Sequence, residues 1–404
     1  MTTTLKVSKL GDVASINPKL VERPSSEELV SFVSMSAVDA VTGTIKNGKD
    51  RPFGEVSKGY TFFAHEDVLV AKITPCFENG KIAQARLAHS MGVGSTEFHV
   101  IRPKGSQLDA RYLLHFLRRP AVRVAGERRM TGSAGQRRVP ESFLASLPIP
   151  TPPLPDQRRV AEVLDRADEL RVKRREALAH LDNLTQSIFL DMFGDLRHGT
   201  PGHEFKPFAE VVREFRYGTS KKSAETGYPA LRIPNVIGST LNLTDLKTVP
   251  ATQAEFDRLR LVDGDLLFVR TNGNPDFVGR CAAFYQALVK DTGFPTDQFL
   301  YASYLIRARV DERRVLPTFI QQFMSGSAGR ASLRDRCKTS AGQYNLNTAG
   351  LGSVQVPLPP LRQQQEFVDR ISQVRTLRGT HEASLAEMDA LFASLQDRAF
   401  RGLL

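Results

Sequence analysis

Apolar side chains recur at steps of three and four along two long stretches of the chain. In the first they are Val160, Leu164, Ala167 and Leu170, then Leu178, Leu181, Leu184 and Ile188. In the second they are Phe367, Ile371, Val374 and Leu377, then Leu385, Met388, Leu391 and Leu395. This spacing puts the apolar positions on one face of an amphipathic or coiled-coil helix. No proline occurs between Asp156 and Asp195 or between Arg362 and Leu404, so nothing in either stretch stops a helix. Each would run roughly 35–40 residues, or ~55 Å at 1.5 Å per residue. A helix of that length needs a partner in water, and two in one chain predict packing on each other. RVKRRE (171–176) and RGTHEA (378–383) interrupt both stripes at one place. An antiparallel pair sets these polar middles opposite one another.

The stretches before each helix have a different rhythm. Short runs such as DVLVAKI, EFHVI, DLLFV and YASYLI alternate with Gly, Pro and Asn turns, which predicts strands. Helical stretches are expected near 108–125 and 312–330. Each block reads as a compact α/β or α+β domain.

The two halves are copies. PTPPLPDQRRV (150–160) and PLPPLRQQQEF (357–367) share prolines and a Gln, Gln157 and Gln364, at an offset of 207. The same offset superposes SAGQ (133–136) on SAGQ (340–343), and further upstream an offset of 198 lays FVSMSAV (32–38) over ALRIPNV and EDVLVAKIT (66–74) over GDLLFVRTN. A fixed register over so many features identifies an internal duplication. The proline clusters act as gates, because proline is tolerated at a helix entrance where its missing N–H costs nothing. The expected domains are a globular block at 1–149, a gate and helix at 150–195, a second block at 196–356, and a second gate and helix at 357–404.

Charge then narrows the partner. The chain of 404 residues carries a net charge of +11, with 55 Lys+Arg against 44 Asp+Glu. Residues 1–150 hold 21 basic and 14 acidic residues and 196–353 hold 21 and 15, whereas the helical stretches are near neutral. Two basic globular heads on a near-neutral spacer suit a polyanion, and a basic membrane helix would show the reverse. The three cysteines, Cys76, Cys281 and Cys337, have no metal or disulfide spacing. The histidines form no HxxxH or HxH cluster, the opening MTTTLKVSKLGDV lacks an apolar leader core, and no apolar run is long enough for a membrane span. We therefore expect a soluble cytoplasmic protein with no membrane partner and no metal.

The densest basic run is RRPAVRVAGERRMTGSAGQRR (118–138). From it Arg128, Arg129, Ser133, Gly135, Gln136, Arg137 and Arg138 are candidates for DNA contact. The matching segment of the second copy contributes Arg336, Lys338, Gln343, Tyr344 and Asn345. Arg and Lys pair with phosphates, Arg also reads guanine edges, and Gln and Asn amides suit adenine. For any single Arg the competing reading is a solvated helix face followed by a turn. Lys72 and Arg270 match one another after strand-like runs and are candidates for backbone contact, with Asn272 on the following turn. The chain has no GxxxxGK[ST] loop, no GxGxxG after a strand and no nucleophile elbow. NPDF (274–277) resembles the Asn-Pro-Pro-aromatic tetrapeptide of adenine methyltransferases. Its third residue is Asp276, no cofactor-binding glycine motif accompanies it, and a turn is the simpler reading. The chain reads as non-catalytic.

The order of block, proline-Gln gate and long helix, repeated twice, resembles the specificity subunit of type I restriction-modification systems. The resemblance covers nearly the whole chain. IPTPPLPDQRRVAEVLDRADEL and VPLPPLRQQQEFVDRI carry it most strongly, with GDVASINP and the two SAGQ sequences. The second block departs from it in opening FAEVV, and the first gate in carrying Pro155. The resemblance implies an α+β fold of two similar target recognition domains separated by two helices in an antiparallel coiled coil, related by a pseudo-two-fold. It implies a bipartite target in double-stranded DNA, and because the two blocks differ strongly in sequence outside their framework the target is expected to be asymmetric. It implies docking of two modification subunits that methylate adenine, and of restriction/translocase subunits. S-adenosylmethionine, ATP and Mg would belong to those partners and none to this chain. Leu164, Leu170, Leu178, Leu181, Leu184, Ile188, Phe367, Ile371, Leu377, Leu385, Leu391 and Leu395 are the candidate coiled-coil and docking positions. The alternative is a non-catalytic coiled-coil adaptor with two protein- or RNA-binding heads; the basic heads disfavour the former and the lack of an aromatic RNP-like signature the latter.

Overall fold

The computed structural model describes every residue except 1–5, 20–22, 47, 134, 197–201 and 341, and all side chains of those but Ser340. The MTTTL opening, part of the leader reading, lies outside the described residues, as do Ala134 and Ala341 of the SAGQ sequences. The chain forms two compact units. Unit 1 joins Met1–Leu178 to Thr380–Leu404, and unit 2 is Ala179–Gly379. The four sequence segments thus regroup, because each long helix is divided between the two units near its middle.

The helices are Leu154–Phe193 and Leu361–Phe400, 40 residues each. Within unit 1 their segments run antiparallel. Arg171 Nε donates to Asp389 at 2.6 Å, Arg175 joins the same carboxylate at 2.9 Å, and Arg174 lies 3.0 Å from His381 Nδ1. Within unit 2 Arg378 pairs with Asp182 at 2.7 Å. The polar interruptions of the two stripes therefore meet at Arg174 and His381, and the ion pairs flanking them use Asp389 and Asp182, which lie outside both interruptions.

Only part of each apolar stripe lies in the seam. Leu164, Phe367 and Ile371 are buried, and Leu178, Leu181, Ile188, Leu385 and Leu395 are half-buried. Leu170, Leu184, Leu377 and Leu391 are exposed. These four form two pairs at the 207 offset, so the same helix face is left uncovered in both copies.

Each unit is built on two main sheets, with smaller strand pairings beside them. In unit 1 one sheet has the order Lys49–Pro52, Leu29–Val33, Met91–Gly94, Thr61–Ala64, and the other Ala14–Ile16, Phe98–Pro103, Val68–Ala71, Ile82–Gln84. In unit 2 the second sheet recurs as Val212–Tyr217, Leu305–Val310, Leu266–Val269, Cys281–Ala283, and the first is reduced to Lys247–Val249, Tyr228–Leu231, Leu300–Tyr301. Register repeats as well as order. Phe32 pairs with Val93 in parallel, and Ala230 with Leu300. Val68–Ala71 and Leu266–Val269 are wholly buried apolar runs, as central strands covered on both faces require.

An acidic clamp opens both central strands. Asp67 and Asp265 are buried, accept the backbone N–H of Ala64 and Val262, and bind Arg102 and Arg309 through both carboxylate oxygens. The residue before each, Glu66 at φ +70° and Gly264 at φ +84°, turns the chain in the left-handed region. One core difference stands out. Arg307 is fully buried in unit 2, bonded to Glu214 and to the Arg260 carbonyl, where unit 1 has Val100.

The expected helical stretches near 108–125 and 312–330 each form two helices, Ala110–Leu117 with Pro120–Glu127 and Pro317–Ser325 with Ser327–Asp335. Pro120 forces the first break, since the residue before a proline avoids helical geometry. At the second break Gly326 is extended, with φ −73° and ψ 170°.

Candidate nucleic-acid interface

The SAGQ loops lie at the centre of the candidate site. In unit 2 three short strands pair as Thr271–Asn272, Gln343–Asn345 and Lys338–Ser340. Thr271 faces Asn345, which faces Lys338. In unit 1 the same ladder is reduced to single bridges, with Ile73 facing Arg138 and Arg138 facing Thr131. Every partner in one unit maps to its counterpart in the other through the two offsets. Gly135 (φ +79°) and Gly342 (φ +76°) make the equivalent tight turns, which a side chain at Cβ would disfavour.

This ladder brings together residues far apart in sequence. Lys72 donates its backbone N–H to Glu97 O and accepts from Val139 N, both at 2.9 Å. Arg270 does the same with Tyr304 O (2.9 Å) and Leu346 N (2.8 Å). Lys72 is thereby set beside Gln136, Arg137 and Arg138, and Arg270 beside Asn272, Gln343, Tyr344 and Asn345. Thr271 Oγ1 bonds the Gln343 side chain at 3.0 Å. The Arg270 guanidinium lies over the Tyr217 ring, 4.7 Å from its centre, in a cation–π contact.

Unit 1 is built around a salt link. Arg138 binds Glu97 through Nε at 3.0 Å and Nη2 at 2.8 Å, while Nη1 donates to Gln136 O at 3.3 Å. The Arg138 hydrogen bond holds the Glu97 carboxyl below its ordinary pKa, with Lys72 adding to the effect. Arg137 lies 3.8 Å from Glu78. Arg128, Arg129, Ser133, Gly135 and Gln136 are exposed, as are Lys338 and Gln343.

Other basic residues serve the framework. Arg336 bonds Ser332 and Ser353 through Nε, Nη1 and Nη2, which fixes the end of its helix. Arg118 pairs with Asp168 of the first long helix, and Arg119 packs over Phe400 of the second. Arg330 and Arg334 clamp the NPDF turn through the Asp276 carbonyl and carboxylate. That turn is closed by Asn272 and Asn274 side chains accepting backbone N–H groups, at 2.9 Å each.

Sequence reading missed Glu97, Tyr217 and Tyr304. The 207 offset, which places Tyr304 over Glu97, was the available signal. Among the described residues no helix is long and apolar enough to cross a membrane.

Residues 3–179 match the family model of the type I restriction modification DNA specificity domain. The EcoEI specificity subunit of Escherichia coli is 45% identical over 152 residues, which are 37% of this chain and only 25% of that relative. The chain thus matches about a quarter of that relative's length. The EcoKI specificity subunit of Escherichia coli strain K12 is 31% identical over 343 residues, 80% of this chain and 72% of the relative. A solved chain from work on complex assembly and conformational transition of the type I R-M system shares the fold with a TM-score of 0.58, at 19% identity and full coverage of both chains. With 31% identity sustained over 80% of this chain and 72% of that relative, the chain belongs to the family of type I restriction enzyme specificity subunits.

Proposed function

We propose that this chain selects the DNA target of a type I restriction-modification complex and has no catalytic centre of its own. The observation that carries the reading is the repeated ladder. At equivalent points of one duplicated framework, two basic units display Lys72, Gln136, Arg137 and Arg138, and Arg270, Asn272, Gln343 and Asn345. These are side chains suited to phosphates and base edges. Because the two sets differ, the target is asymmetric and bipartite. The long helices fix the spacing of its halves, and their uncovered leucines dock modification subunits. S-adenosylmethionine, ATP and Mg act on the partners, where adenine methylation and restriction take place.

Two measurements test this. Duplex DNA binding by the purified chain should weaken by ~10³-fold or more between roughly 50 and 200 mM salt, as for proteins neutralising several phosphates. Mapping of methylated adenines in cells carrying the chain and its modification subunit should give a two-part, non-palindromic target. Salt-insensitive binding, or a palindromic target, would overturn the reading; binding only to protein partners would favour the adaptor.

A further inference from the structure

We infer that one framework position, occupied by Glu97 in unit 1 and Tyr304 in unit 2, determines how each half of the DNA target is read. This rests on the proposed function. Its equivalence in the two units comes from hydrogen bonding. Glu97 O accepts from Lys72 N, and Tyr304 O accepts from Arg270 N, each at 2.9 Å. The next residues pair as Phe98 with Ala71 and Leu305 with Val269. Backbone geometry therefore matches while the side chain changes from acidic to aromatic.

The consequence differs on each side. Glu97 takes the Nε–Nη2 edge of Arg138. That fixes the plane of the guanidinium; with Nη1 also donating to Gln136 O at 3.3 Å, one N–H remains on each of Nη1 and Nη2 to approach a base. An Arg so oriented matches the paired O6 and N7 acceptors of guanine. Glu97 is a positioning residue for that contact. In unit 2 the position of Arg138 is taken by Asn345, whose amide matches adenine N6 and N7. Tyr304 has no arginine to orient. It is 59% exposed, with its backbone anchored by Arg270 and the Ser303 carbonyl facing Arg270 Nη1 at 3.5 Å. An exposed aromatic ring on an anchored backbone, next to the Arg270–Tyr217 pair, suits packing on a base or sugar face. Unit 1 thus reads by an oriented arginine and unit 2 by an amide and a ring.

The experiment is selection from a randomised duplex library by the full-length chain, followed by binding of the selected duplex. The wild type should select two defined half-sequences. Tyr304→Ala, at an exposed position that does not test folding, should lower affinity about tenfold and alter one half only. Arg138→Ala and Glu97→Ala should relax a guanine position in the other half only. Glu97→Asp should restore part of that preference, which a merely structural role would not predict. Selection of the unchanged two-part sequence with unchanged affinity by Tyr304→Ala and Arg138→Ala overturns the inference. Selection of no sequence by the wild type overturns the proposed function instead, so the two failures are distinct.

Discussion

Gln157 and Gln364 each satisfy three backbone groups with one side-chain amide. Gln157 accepts Asp109 N and donates to Gln107 O and Pro152 O. Gln364 accepts Leu316 N and donates to Arg314 O and Pro359 O. Both are fully buried. Each locks the first turn of a long helix to its own gate and to the start of a head helix, at the Asp109 or Leu316 cap. Replacing either by Ala strands these groups in the joint, and urea unfolding should show a loss of about 1–3 kcal/mol per site. Base preference of the folded variants should not change. The repeat made these two residues legible in the sequence, yet not their role, because Gln107 and Asp109 lie some fifty positions away. The Asp67–Arg102 and Asp265–Arg309 clamps were equally visible as matches under the two offsets, and went unread because the offset itself changes between their members.

At the scale of elements, the helices were the most legible part of the chain. Their periodicity and proline gates placed them within a few residues of Leu154–Phe193 and Leu361–Phe400. The stripe overstated the seam, since Leu170, Leu184, Leu377 and Leu391 repeat in phase yet face outward. Period alone reports a face and not what covers it. The helix ends are fixed by aromatic packing. Phe400 lies 4.9 Å from the Tyr112 ring in unit 1, and its equivalent Phe193 lies 5.1 Å from Phe319 in unit 2. Truncating either to Ala should destabilise the unit that contains it by about 3–5 kcal/mol. Calorimetry of the full chain should show Phe400→Ala acting on unit 1 and Phe193→Ala on unit 2. A loss shared equally by both would argue against this division. Loop geometry was the least legible element. The ladder through Thr131, Arg138 and Ile73 is closed by single bridges that no periodicity announces.

Over the whole molecule, duplication makes each unit a control for the other. Unit 1 buries two histidines where unit 2 has none: His115 corresponds to Gln322, and His99 to Ile306. Burial lowers the His115 imidazole below its ordinary 6.5 even though Asp165, bonded at 2.7 Å, favours the charged form; Arg118 and Arg111 reinforce the lowering. Burial likewise lowers His99, with Lys72 adding to it against the Val139 carbonyl, Glu141 and Glu97. Above about pH 6.5 both are neutral folded and unfolded. As pH falls below that, the unfolded chain binds protons first and unit 1 loses stability, by up to about 1.4 kcal/mol per pH unit for each histidine. Thermal unfolding followed from pH 7 to 5 should show this loss in unit 1, and His115→Gln, the residue unit 2 uses, should reduce it. Charge, duplication and composition gave the two-headed plan from sequence alone. The Glu214–Arg307 link escaped it, because its partners meet only through strand pairing. Each long helix starts on one unit, through its glutamine, and finishes in the core of the other, through its phenylalanine. A fragment holding one head and its own helix would therefore leave an aromatic socket open and carry a plug with nowhere to go, and two such fragments would close each other.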